Sequence, residues 1–159
     1  MILIGSQNDA PVMQGALDVL KELGISAEMT VASAHRSPAR VQRLIAQAES
    51  RRVAVFIVGA GAAAHLAGVV AAHVTKPVIG VPIDSSALNG LDALLSTVQM
   101  PPGVPVATVS IGKAGATNAG VLAAQMLALA DNAIAERLQK YKKNLADKVE
   151  NAAGQLEKH

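Results

Sequence analysis

The sequence predicts an α/β fold: one parallel sheet of five strands with helices covering both faces. Two observations carry this. Short apolar runs alternate with longer segments of helical spacing along the chain. The runs are also apolar almost without interruption, as strands buried on both faces are. Parallel neighbours need crossover connections, and the intervening helical segments supply them.

The elements follow in order. "ILIG", from Ile2, is the first strand. "APVMQGALDVLKELG" places Val12, Met13, Ala16, Leu17, Leu20 and Leu23 at helical spacing and closes on Gly24. "SAEMTVAS" is the second strand. "SPARVQRLIAQAESRR" is an amphipathic helix with Pro38 in its first turn, where a missing N–H costs little. "VAVFIV" is the third strand, broken by "GAG" and followed by the helix "AAAHLAGVVAAHV". "KPVIGVP" is the fourth strand, "LDALLSTVQM" a helix and "VPVATVSI" the fifth strand. "ATNAGVLAAQMLALA" is a helix apolar around nearly its whole circumference, which points to a large homo-oligomer. Residues 1–130 thus form one α/β domain. Residues 131–159 form a C-terminal helix with an apolar stripe at Ile134, Leu138, Tyr141, Leu145 and Val149, packing on the core or on a neighbouring subunit.

Composition removes several function classes. With 159 residues, 51% hydrophobic and 16% charged, the chain reads as one folded domain. A mean hydropathy of +0.34 calls for a membrane segment or for large subunit interfaces. Residues 53–74 carry no Lys, Arg, Asp or Glu and are long enough to span a bilayer. The β-branched "VAVFIV", the glycines after it, and His65 and His73 argue against a span. A net charge of +2, one Phe, one Tyr and no Trp leave no platform for nucleic-acid bases. The absence of Cys excludes disulfides, thiolate metal sites and a cysteine nucleophile. Met1 runs straight into "ILIGS", with no signal-peptide pattern.

Ligands of open parallel sheets bind outside the carboxyl ends of the strands. The segments there are "GSQND", "SAHRSP", "GAGAAAHL", "PIDSSALNG" and "SIGKAGATNAG", the chain's richest in Gly, Ser, Asn and His. In the first, Gly5 permits a tight turn, Ser6 and Asn8 can donate to an anion, and Asp9 can accept two hydroxyls, as from a ribose. Taken alone, Asn8 or Asp9 reads first as a simple helix cap. In the second, Arg36 can grip a phosphate with two N–H groups. His35 can serve as acid and base in one cycle, because imidazole changes charge near neutrality. In the third, Gly59 and Gly61 allow close backbone approach, and His65 lies in the first helical turn. His73 and His159 have no polar company and read as structural or exposed. No ligand spacing signals a metal, and no Walker motif is present. Together these residues describe an anion site, a hydroxyl acceptor and one or two histidines, fit for proton transfer on a phosphorylated, sugar-like ligand.

"GSQND", "SAHRSP", "GAGAAAHLAG", "PVIGVP", "STVQMPPGVPV" and "IGKAGATNAGVLAAQML" occur in this order over nearly the whole chain. Together they resemble the N5-carboxyaminoimidazole ribonucleotide mutase family of purine biosynthesis, also described as the catalytic subunit of phosphoribosylaminoimidazole carboxylase. The resemblance implies a three-layer α/β/α, flavodoxin-like fold. It also implies a cytoplasmic homo-octamer, no metal, no organic cofactor, and a functional link to an ATP-dependent synthase that makes the N5-carboxylated nucleotide. The implied reaction moves a carboxylate from N5 to C4 of the aminoimidazole ring. By motif, Ser6, Asn8, Asp9, Ser33 and Arg36 would hold the ribose phosphate. Gly61, Ala62, His65 and Leu66 would surround the ring and its carboxylate, and His35 would be the acid and base.

A second branch of the family carboxylates aminoimidazole ribonucleotide directly with CO2 and lacks "AAHL" after the third strand; "AAAHLAG" here favours the mutase branch. Four positions depart from the common pattern. Asn8 replaces the second Ser of "GSxSD", Ala62 the second Gly of "GGAAHLPG", Ala67 its Pro, and Ala10 a bulkier residue. A Cβ at position 62 should either sit at negative φ or narrow the pocket.

Overall fold

The computed structural model describes residues 1–157, so His159 lies outside the described residues. The strands are β1 (Ile2–Ile4), β2 (Met29–Val31), β3 (Phe56–Gly61), β4 (Val78–Ile83) and β5 (Ala107–Thr108). The helices are α1 (Ala10–Glu22), α2 (Pro38–Ser50), α3 (Leu66–His73), α4 (Leu91–Val98), α5 (Gly112–Ala128) and α6 (Asn132–Leu156). The strands form one sheet in the order β2-β1-β3-β4-β5, and every pairing is parallel. This is the flavodoxin-like order, whose direction of winding reverses between β1 and β3.

Side-chain alternation along each strand feeds two cores. Ile2, Ile4, Ile57, Ile79 and Val81 pack with Met13, Ala16 and Leu20 of α1 and Ala116, Ala119 and Ala123 of α5. Leu3, Phe56 and Val58 point the other way, into Val41 and Ile45 of α2, Leu66 and Val70 of α3, and Ala93 of α4. Leu3 is fully buried, and truncating such a side chain to Ala costs roughly 2–5 kcal/mol. Small residues let α1 and α5 come close: a Cβ on Gly120 would lie 3.0 Å from the Ala16 carbonyl oxygen.

The structure corrects several boundaries. Val53–Val55 precede the third strand, and "GAG" continues it to Gly61. Pairing with β4 runs through Gly61, so the sheet holds small residues that a propensity reading treats as breakers. β5, at one edge of the sheet, is only two residues long. The all-apolar α5 is accounted for within the chain: it lies on the sheet beside α1, and α6 packs against it through Ile134, Leu138 and Tyr141. The stripe on α6 is therefore split. Its first half is covered by Val19, Leu23 and Ala124, whereas Leu145 and Val149 are exposed. No described helix is long and apolar enough to cross a membrane.

Candidate active site

The site is built at the winding reversal, where the chain leaves β1, β2, β3 and β4. An open cavity of about 380 Å³ lies there, and its wall includes Ser6, Asp9, Ser33, His35, Arg36, Gly61, His65, Leu66 and Ser85. The segment after β5 lies beside the one after β4, with a Cβ on Gly112 falling 3.4 Å from Asp84 Oδ1, but it contributes nothing to this wall.

The β1 end is shaped by a single 3-10 turn, Gln7–Asp9, closed by a reciprocal cap. The Ser6 backbone N–H donates to Asp9 Oδ2 at 2.9 Å, and the Asn8 backbone N–H donates to Ser6 Oγ at 3.3 Å. Asp9 is only 4% exposed, so its carboxylate reaches the cavity from a buried position. Burial pushes its pKa up; the Ser6 N–H and the nearby Arg36 charge pull it down in part.

The β2 end is tied to it by Arg36. The guanidinium donates through Nη2 to the Gly5 carbonyl at 3.3 Å and through Nε to Ser33 Oγ at 3.4 Å. The Arg36 backbone N–H also donates to Ser33 Oγ, at 3.2 Å. Nη1 has no protein hydrogen bond among the described residues, which leaves one N–H edge for an anion. Ser37 and Pro38 then start α2, with Pro38 at a position that needs no N–H donor.

The β3 end brings the two histidines together. His35 Nε2 and His65 Nδ1 are 2.8 Å apart, with the rings edge to face at 78°. One nitrogen must donate and the other accept, so a single proton is held between the rings. His65 stands just before α3 rather than within its first turn.

Two expected site residues are not brought into the cavity wall. Asn8 is exposed and contributes its backbone N–H to the Ser6 cap. Ala62 is exposed and adopts φ +50°, so its Cβ neither takes negative φ nor narrows the cavity. The two glycines of "GAG" also divide their duties. A Cβ on Gly59 would meet Met13 Sδ at 2.5 Å, so that glycine admits α1, not a ligand. Gly61 admits Ser85, a wall residue that sequence reasoning missed. Only its place in "PIDSSALNG", after the fourth strand, could have signalled it. His73 is not without polar company, because its Nδ1 lies 2.8 Å from the Val69 carbonyl oxygen one helical turn back. No group of three or more His, Asp or Glu among the described residues is placed to hold a metal.

A family model described as AIR carboxylase matches residues 1–148. The chain belongs to the AIR carboxylase family. Among its relatives is the N5-carboxyaminoimidazole ribonucleotide mutase of Bacillus subtilis, 51% identical over 98% of this chain and 96% of that protein. The mutase of Pyrococcus horikoshii is 50% identical over 98% of this chain and 87% of that protein. The crystal structure of Treponema denticola PurE superposes with a TM-score of 0.83 at 27% identity, covering 98% of this chain and 96% of the other. For this AIR carboxylase family member, the sheet order and the fold neighbour agree on a flavodoxin-like α/β/α architecture.

Proposed function

We propose that this chain isomerises N5-carboxyaminoimidazole ribonucleotide to its 4-carboxy isomer without ATP. The observation that carries the reading is the His35–His65 pair at 2.8 Å, in the same cavity wall as Arg36 and Asp9. The shared names of the relatives support the substrate.

Arg36, with Ser6 and Ser33, holds the phosphate, and Asp9 accepts the ribose hydroxyls. The ring then lies toward Gly61, His65 and Leu66. The step requires three protons on the four ring nitrogens of the pair. His35 gives a proton to N5 as the N5–carboxylate bond breaks, which releases CO2 and leaves neutral aminoimidazole ribonucleotide. C4 attacks the CO2 while it is still in the cavity, and His35 takes the proton that C4 loses. One proton enters at N5 and one returns from C4, so no external acid, base, oxidant or ATP is consumed. His65 keeps His35 oriented through the shared proton and stabilises whichever form the step requires. Neither metal nor organic cofactor enters this sequence of steps.

Purified protein is expected to convert the N5-carboxylated nucleotide in buffer lacking ATP and added bicarbonate. Conversion of plain aminoimidazole ribonucleotide with CO2, and none of the N5-carboxylated compound, would instead establish direct carboxylation. Tight nucleotide binding with neither turnover would leave a phosphoribosyl-ligand binder.

We further assign the protein to a cytoplasmic homo-octamer acting after an ATP-dependent synthase of the N5-carboxylated nucleotide. Exposed Leu91, Leu95 and Val98 along α4, with Leu88 in the loop before it, and Leu145, Val149 and Leu156 on α6, support assembly. Light scattering at micromolar concentration is expected to give a large oligomer; a monomer would contradict the assignment.

A further inference from the structure

We propose that Ser85 recognises the migrating carboxylate by donating its hydroxyl hydrogen to it, an inference that rests on the isomerase reading above. Four observations converge on this residue. First, it is the only part of the segment after β4 that enters the cavity wall. Second, the chain makes room for it. A Cβ on Gly61 would collide with Ser85 Oγ and lie 2.9 Å from Ser85 Cβ. Gly61 is not among the glycines at positive φ, so backbone conformation does not require a glycine there; space for the serine does.

Third, Ser85 Oγ makes no hydrogen bond within the described residues. The adjacent Ser86 Oγ, by contrast, accepts from the Leu88 N–H at 3.2 Å and serves the loop. Fourth, β4 lies on the far side of β3 from β1 and β2, which carry the phosphate and ribose contacts. A nucleotide anchored by Arg36 therefore directs its base toward Ser85. The group that is anionic there in both substrate and product is the carboxylate. A neutral hydroxyl can donate to that carboxylate on N5 and again on C4. It neither takes the proton that the histidines exchange nor holds the carboxylate with a full positive charge, which would favour the ground state over the departing CO2.

The test is Ser85→Ala on the full chain. The variant should fold, because Ser85 is exposed and its side chain bonds to nothing else in the protein. Calorimetry measures two ligands: the 4-carboxy nucleotide, and aminoimidazole ribonucleotide, which has the same phosphoribosyl group and ring but no carboxylate. Removing a hydrogen bond to a charged group should weaken the carboxylated ligand by roughly tenfold to a hundredfold. Affinity for the uncarboxylated ligand should stay unchanged. Equal losses for both ligands, or no loss for either, would overturn the assignment of Ser85. A wild-type chain that binds neither ligand would overturn the isomerase reading itself, and this inference with it.

Discussion

The two ends of the cavity are wired differently. At the β1–β2 end the polar groups hold one another: Ser6 to Asp9, Asn8 to Ser6, and Arg36 to both Ser33 and Gly5. Toward β3 and β4, His35 of the β2 loop reaches across to His65 through a single contact, and Ser85 Oγ has no protein partner among the described residues. The first end is pre-organised, so a ligand meets donors and acceptors that are already aimed and little ordering cost remains. The second is left free to exchange protons and to accept a group that changes position during the reaction. Binding and chemistry thus meet in the β2 loop, where Arg36 faces the β1 turn and its neighbour His35 faces His65.

Disabling each end in turn should give effects of different kind and size. His35→Asn keeps a similar volume and a hydrogen-bonding edge but carries no proton. Its turnover should fall by about 10²–10⁴-fold, the usual worth of a positioned acid or base, with nucleotide affinity little changed. His65→Asn should lose less, because His65 acts on His35 across the shared proton. Its mark should be an altered pH–rate profile, and a dead His65→Asn beside an active His35→Asn would exchange the two roles. Arg36→Ala should weaken nucleotide binding by roughly tenfold to a hundredfold, as expected for loss of a charge-assisted contact to phosphate.

The smallest effects are on stability. Ala62 sits at φ +50°, a conformation that costs an L-residue roughly 1–2 kcal/mol and a glycine little. After allowing for the greater entropy of an unfolded glycine, Ala62→Gly should stabilise the protein by up to about 1 kcal/mol. Since Ala62 does not line the cavity, ligand affinity should not change; a lower melting temperature would show the strain to be absent.

Asp9→Asn sharpens the comparison from the anchoring end. Burial raises the folded-state pKa of Asp9 above its ordinary value. The folded state therefore binds the proton more tightly, and stability is lost as pH rises from the ordinary carboxylate range through the folded value. Above that window, where Asp9 must bury a charge and Asn need not, Asn should raise the melting temperature while weakening ribose binding. The stability gain should close as pH falls below the ordinary carboxylate range. A gap that widens in acid would reverse the sign.

Much of this division was legible in the sequence. The alternation of apolar runs and helical spacings gave the parallel sheet, and the carboxyl-end rule then gathered "GSQND", "SAHRSP" and "GAGAAAHL" on one edge. What remained hidden depends on side chains that meet in space. The hydrogen bond between His35 and His65 joins residues thirty positions apart, in the loops after two different strands. The partners of Gly59 and Gly61, Met13 and Ser85, lie on other elements, so a shared "GAG" motif could not reveal that one glycine admits a helix and the other a hydroxyl. The intramolecular cover over α5 likewise follows from neighbours in the fold, not from local spacing.

The most direct test of the division compares the nucleotide with its dephosphorylated nucleoside, each bound to wild type, Arg36→Ala and His35→Asn and measured by calorimetry. Wild type and His35→Asn should both prefer the phosphorylated ligand by roughly tenfold or more, and Arg36→Ala should have lost most of that preference. A phosphate preference that survives in Arg36→Ala but disappears in His35→Asn would contradict the assignment of anchoring to Arg36 and proton transfer to its neighbour His35.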